Sequence, residues 1–100
     1  MPMMCGGTGP VKEADDKIQE LCDGVKSHVE NEAKKSYDTF VAKNYTTQCV
    51  AGTNYFVKVH VGEAEHIHIC IHKKLPCNGG EVLFLKMEGG KTAEDAIGYF

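Results

Sequence analysis

The chain carries five cysteines and five histidines, the residue types best suited to hold a metal ion or to attack a carbonyl group. Four of them alternate with isoleucine in His66-Ile67-His68-Ile69-Cys70-Ile71-His72, and His60 falls in the run just before. On an extended strand, residues i and i+2 share a face about 6.5–7 Å apart, close enough for two imidazoles to chelate one ion. Four in a row span too far for one tetrahedral centre. Beyond Glu63 and Glu65, no carboxylates are spaced to orient such ligands. A metal-binding protein using His66, His68, Cys70 and His72 is therefore the second reading. The first is a solvated sheet face that happens to be rich in histidine.

A thiol enzyme would need a nucleophile, a base and oxyanion donors converging in a pocket. Cys22 falls on the apolar stripe of a helix, and Cys70 and Cys77 have no identifiable base partner. No catalytic residue and no cofactor are assigned. The cysteines at 5, 22, 49, 70 and 77 contain no Cys-x-x-Cys pair, which excludes a zinc ribbon or a thioredoxin-type site. Their odd number, with no recognisable signal peptide, predicts free thiols in a reducing cytoplasm. There, the acceptor pattern Asn44-Tyr45-Thr46 would go unglycosylated.

With 100 residues, 42% hydrophobic and 25% charged, the chain suits one globular domain over 1–100. Its apolar runs are too short to span a membrane. The net charge of −3 arises with 11 lysines and no arginine, so bidentate recognition of phosphate or guanine, and with it nucleic acid, is not expected.

The spacing of apolar side chains shows which elements must hold these residues. Residues 1–11, rich in Gly, Met and Pro, read as a flexible N-terminal arm. From Lys12 to about Lys35, the residues Ile18, Leu21, Cys22, Val25, Val29 and Ala33 recur at helical steps and predict one amphipathic helix. Glu13, Asp15 and Asp16 fall in its first turn and Lys34 and Lys35 in its last, as the helix dipole favours. Gly24 inside it costs about 1 kcal/mol relative to alanine. After Ser36 the period changes to two. Tyr37 to Thr47, Tyr55 to Val61, Ile67 to Ile71 and Glu81 to Met87 predict antiparallel strands with one face on the helix and one toward water. The fold class is α+β.

A short link at Lys35–Tyr37 sets the helix antiparallel to the first strand, and the remaining connections then alternate between the two ends. Links at 48–54 and 75–80 fall at the end where the helix starts and the Gly6-Gly7 arm emerges. The turn at Gly62-Glu63-Ala64 falls at the other. Three irregular segments thus converge on one edge, where binding loops are expected. Gln48-Cys49-Val50-Ala51-Gly52 is apolar and lacks an Asn-Gly or Asp-Gly turn, so its solvation cost suits a partner that covers it. Leu75-Pro76 offers a stiffened apolar residue, and Gly6-Gly7 a backbone that can approach closely. From Tyr45 to Val61 only Ala51-Gly52 and Asn54 interrupt residues that favour an extended chain. Opening that loop would let residues 37–61 run as one strand into a second molecule.

These segments resemble one family throughout. Gln48-Cys49-Val50-Ala51-Gly52 fits the Gln-x-Val-x-Gly loop of the cystatin superfamily. Thr53-Asn54-Tyr55-Phe56-Val57-Lys58-Val59-His60-Val61-Gly62 looks like the strand that follows it in stefins, the cytosolic, disulfide-free branch of A and B type. Met3-Met4-Cys5-Gly6, Leu75-Pro76 and Tyr99-Phe100 are similar to the stefin N-terminus, second loop and C-terminus. Cys49 stands where stefins usually carry Val. Gly89-Gly90 and Ala93-Glu94-Asp95-Ala96 replace a more polar tail.

The resemblance implies a cystatin-like sheet wrapped around one long helix. It also implies a reversible, tight-binding inhibitor of papain-like cysteine proteases: papain and cathepsins L, S, H and B. The arm with Gly6 and Gly7, the loop Gln48, Cys49, Val50, Ala51 and Gly52, and Leu75 with Pro76 would form a wedge filling the protease cleft. The arm turns away at Gly6, so no peptide bond is held in line for attack. The expected state is a monomer able to form strand-exchanged dimers, as the resemblance implies, or Cys5-linked dimers through the thiol of its exposed arm.

Overall fold

The computed structural model describes residues 11–50, 52–62, 65–75, 79–95 and 97. One helix, α1 (Asp16–Ala33), lies on a five-stranded antiparallel sheet in the order β1-β2-β3-β4-β5. The strands are β1 (Lys12–Glu13), β2 (Val41–Val50), β3 (Gly52–His60), β4 (His66–Lys73) and β5 (Val82–Lys91).

The helix starts later than the apolar spacing suggests. Asp15 is its N-cap, in extended conformation, and its Oδ1 accepts the Ile18 N–H at 3.1 Å. This satisfies one orphan donor of the first turn. Lys12 and Glu13, expected in the helix, instead pair with Tyr45 and Asn44 of β2. The other end also differs. Lys34 adopts a left-handed conformation (φ 60°) with its N–H on the Glu30 carbonyl, so Lys34 and Lys35 lie past the last turn.

Tyr37 and Phe40, expected to open the first strand, belong to the connection into β2. Their rings stack at 6.1 Å and are buried in the core, and Glu30 Oε2 accepts the Tyr37 N–H at 2.8 Å. The helix also crosses the sheet rather than lying antiparallel to β2. Gln19 donates to the Phe40 carbonyl and accepts from the Ala42 N–H beside the start of β2, while the His28 ring stacks on Phe84 of β5.

Ile18, Cys22, Val25 and Val29 pack against Val57, Val59, Val61, Ile67, Ile69 and Ile71, so the alternation in β3 and β4 is the core pattern. Burying each such Val or Ile contributes about 1.5–3 kcal/mol relative to leaving it exposed.

The outer face of the sheet is not the solvated surface that the alternation predicts. His66, His68 and Cys70 are buried, with Thr46, Gln48, Phe56 and Lys58 beside them. Residues 92–95 and Ile97 provide cover. Ile97 joins Phe56 and Cys70 in a second apolar cluster, and the Ala93 carbonyl accepts Lys58 Nζ at 2.7 Å. Asp95 Oδ2 accepts the Thr92 N–H at 2.8 Å, which closes the turn leading into that cover.

Among the described residues, β5 forms the far edge of the sheet. Its pairing with β4 slips twice, between His66 and His68 and between Cys70 and Ile71. Leu83 and Leu85 project from it, Leu85 at 50% exposure, and Lys91 pairs with Glu88 at 3.3 Å.

Candidate functional site

The two hairpins end side by side. The β2–β3 ladder runs through Gln48↔Asn54 and Cys49↔Thr53 to Val50↔Gly52. Thr53 in turn pairs with Lys73, and Lys73 with Val82, so the β4–β5 connection opens beside the first tip. The Lys74 N–H donates to the Glu81 carbonyl at 2.8 Å and closes that second hairpin, and the Gly80 N–H reaches the Leu75 carbonyl at 3.0 Å. Leu75 is 41% exposed at this edge.

Gly52 is required by its surroundings. Its φ is +117°, and a Cβ built there would lie 2.5 Å from the Lys73 carbonyl oxygen and 3.0 Å from His72 Cε1. Only a residue without a side chain lets the tip rest this closely on the end of β4.

Behind the tip, side chains from neighbouring strands join end to end. Asn54 Nδ2 donates to Gln48 Oε1 at 3.0 Å, and His72 Nδ1 lies 2.7 Å from Asn54 Oδ1. Neither Asn54 nor His72 is among the protease-binding residues expected from the sequence, where His72 enters only as a candidate metal ligand. Asn54 interrupts an otherwise β-favouring run and His72 closes the histidine alternation, but neither local pattern shows that the two meet.

The expected site residues fall as follows. Gln48 is buried at the root of the tip, Gly52 is at its return, and Leu75 is exposed on the second hairpin. Cys49 and Val50 form the last rungs of β2. Gly6, Gly7, Ala51 and Pro76 lie outside the described residues, as do Cys5 and Cys77. β1 pairs antiparallel with β2, so toward its own N-terminal side it leads to the end where β2 meets β3.

Below the edge, a cleft of about 510 Å³ opens between the first half of α1 and the sheet, lined by Asp15, Ile18, Leu21, Tyr45, Tyr55 and Val82. The described thiols are poorly placed for chemistry. Burial, then the Asp23 carboxylate, pushes Cys22 up to about 12, and burial also raises Cys70. No three His, Cys, Asp or Glu among the described residues converge as a metal site. His68 and Cys70 are buried and His72 bonds to Asn54, so the metal reading of this strand is not supported. Among the described residues, no helix is long and apolar enough to cross a membrane.

Residues 6–94 match the cystatin domain, and the chain belongs to the cystatin family: it is an inhibitor of cysteine proteases, not an enzyme. Within the family it stands with the stefins. It is 54% identical over 98 residues to Cystatin-B of Paralichthys olivaceus, spanning 98% of this chain and 100% of that one. To Cystatin-B of Oplegnathus fasciatus it is 52% identical over 100 residues and 100% of both chains. To human Cystatin-B it is 34% identical over 98 residues, again spanning 98% of this chain and 100% of that one.

Proposed function

We propose that the chain is a reversible, tight-binding inhibitor of papain-like cysteine proteases, papain and cathepsins L, S, H and B, acting in the cytoplasm as a monomer. The wedge is the arm with Gly6 and Gly7, the β2–β3 tip from Gln48 through Cys49, Val50 and Ala51 to Gly52, and Leu75-Pro76. The observation that carries this reading is the pairing that continues to Val50↔Gly52 while Gly52 leans on the end of β4. A narrow tip held in one orientation beside an exposed leucine suits a cleft, because rigid parts lose little freedom on binding. Such interfaces bury about 1,200–2,000 Å².

Titrating active-site-calibrated papain and cathepsin L with the purified chain tests it. Activity should fall stoichiometrically and return on dilution, with the inhibitor uncleaved. Turnover of the chain, or full protease activity at an excess of it, refutes the reading. Removing residues 1–7 should speed dissociation while leaving residual inhibition through the two hairpins. Opening the β2–β3 hairpin would feed residues 37–61 into a second copy and abolish the tip. A Cys5–Cys5 disulfide would tie two arms together. Both dimers, separated by size exclusion, should be poor inhibitors; a dimer as active per subunit as the monomer rejects this part.

A further inference from the structure

The first tip stands at the top of the sheet, and beyond the Thr53↔Lys73 pair β4 offers it no further rung. Its angle must be set from its root. Three residues cross that root on the outer face, one per strand: Gln48 on β2, Asn54 on β3 and His72 on β4, paired as Gln48↔Asn54 and Asn54↔His72.

The hydrogen bonds fix the direction of the chain of donors. Asn54 Nδ2 donates to Gln48 Oε1 at 3.0 Å, so Asn54 Oδ1 is the accepting end. His72 Nδ1, 2.7 Å from that oxygen, therefore carries the hydrogen. The same imidazole has its Cε1 and Nε2 3.0 and 3.2 Å from the position a Cβ on Gly52 would take. One ring thus holds Asn54 through Nδ1 and backs Gly52 with the adjoining Cε1–Nε2 edge.

We propose that His72 and Asn54 are positioning residues for protease binding, a brace that holds the Gln48–Gly52 tip in its binding orientation before the protease arrives. This rests on the wedge reading above and adds two residues that act through the tip. Holding the tip in advance raises the fraction of molecules ready to bind, so the brace shows in the association rate rather than in lost contacts.

The test measures association and dissociation with active-site-calibrated papain for the full chain and four variants. His72→Phe keeps a ring but removes the donor. His72→Asn restores a donor at the same distance along the side chain. Asn54→Ala breaks both bonds, and the fourth variant combines His72→Phe with Asn54→Ala. His72→Phe and Asn54→Ala should each slow association about 5- to 10-fold with dissociation changed less than about twofold. His72→Asn should recover to within about threefold, and the double variant should be no slower than Asn54→Ala alone. Amide exchange at Gly52 should quicken in the slowed variants while amides of α1 do not change.

Wild-type association in Asn54→Ala overturns the brace, even if His72→Phe fails to fold. Full additivity in the double variant, or His72→Asn as slow as His72→Phe, overturns it too. An unmodified chain that leaves papain active refutes the wedge reading instead, so the two failures are told apart.

Discussion

Acidification should weaken this fold through one histidine in the middle of the sheet. His68 is only 3% exposed, opposite Lys58 on β3 and Glu88 on β5, with Lys91 and the Asp95 turn close by. Burial first, then the charges of Lys91 and Lys58, pushes its imidazole down to about 4, against the smaller opposing pull of Asp95 and Glu88. In the unfolded chain the same ring takes up its proton near 6.5. Between those values the unfolded state binds more protons, so stability falls as pH falls; below about 4 both states are charged and the loss is complete.

A depression of about 2.5 units, at about 1.36 kcal/mol per unit, amounts to about 3 kcal/mol. That is a large share of the roughly 5–15 kcal/mol that holds a small domain together. Urea unfolding at steps from about pH 7 to about pH 4 measures it, with His68→Leu as the control that cannot titrate. The wild-type chain should lose about 3 kcal/mol more than the variant across the window. Equal losses refute the reasoning, as would a His68 ring titrating near 6.5 by nuclear magnetic resonance in the folded protein.

Three further outcomes follow from single side chains. Gly52→Ala sets a methyl 2.5 Å from the Lys73 carbonyl at φ +117°, and should raise the dissociation constant for papain at least tenfold, roughly, in an inhibition titration. Gly24→Ala should stabilise the chain by about 1 kcal/mol in thermal unfolding, because Gly24 lies within α1 and a Cβ there meets nothing within 4 Å. Cys22, with its thiol at about 12, should resist iodoacetamide in the folded chain at about pH 8, where on the order of one thiol in ten thousand is ionised. Peptide mapping by mass spectrometry reads that outcome, and labelling as fast as in urea contradicts it.

The core of the fold was legible because it repeats. Ile18, Cys22, Val25 and Val29 declare a helix by spacing, and Val57, Val59, Ile67, Ile69 and Ile71 declare strands by alternation. β1 left no such trace, since Lys12 and Glu13 pair through their backbones and bury no apolar side chain. The cover on the outer face left no trace for a related reason. Alternating Ile and His looks the same whether the polar side meets water or a cover, and the cover comes from 92–95 and Ile97, far along the chain. At the site, Gln48, Gly52 and Leu75 could be named from the sequence. Asn54 and His72 could not, because their partnership depends on a three-strand register that no local pattern specifies.

The slips along β5 bear on how the protein behaves when crowded. An edge strand of ten residues with Leu83 and Leu85 projecting is a template onto which another chain could add a strand, the first step toward fibrils. Two slips in register bend that edge out of line, Gly90 turns it at φ +67°, and Lys86, Glu88 and Lys91 place charge along it. An incoming strand would meet a broken ladder and would have to bury those charges, so the irregularities in β5 guard the molecule against edge-to-edge aggregation.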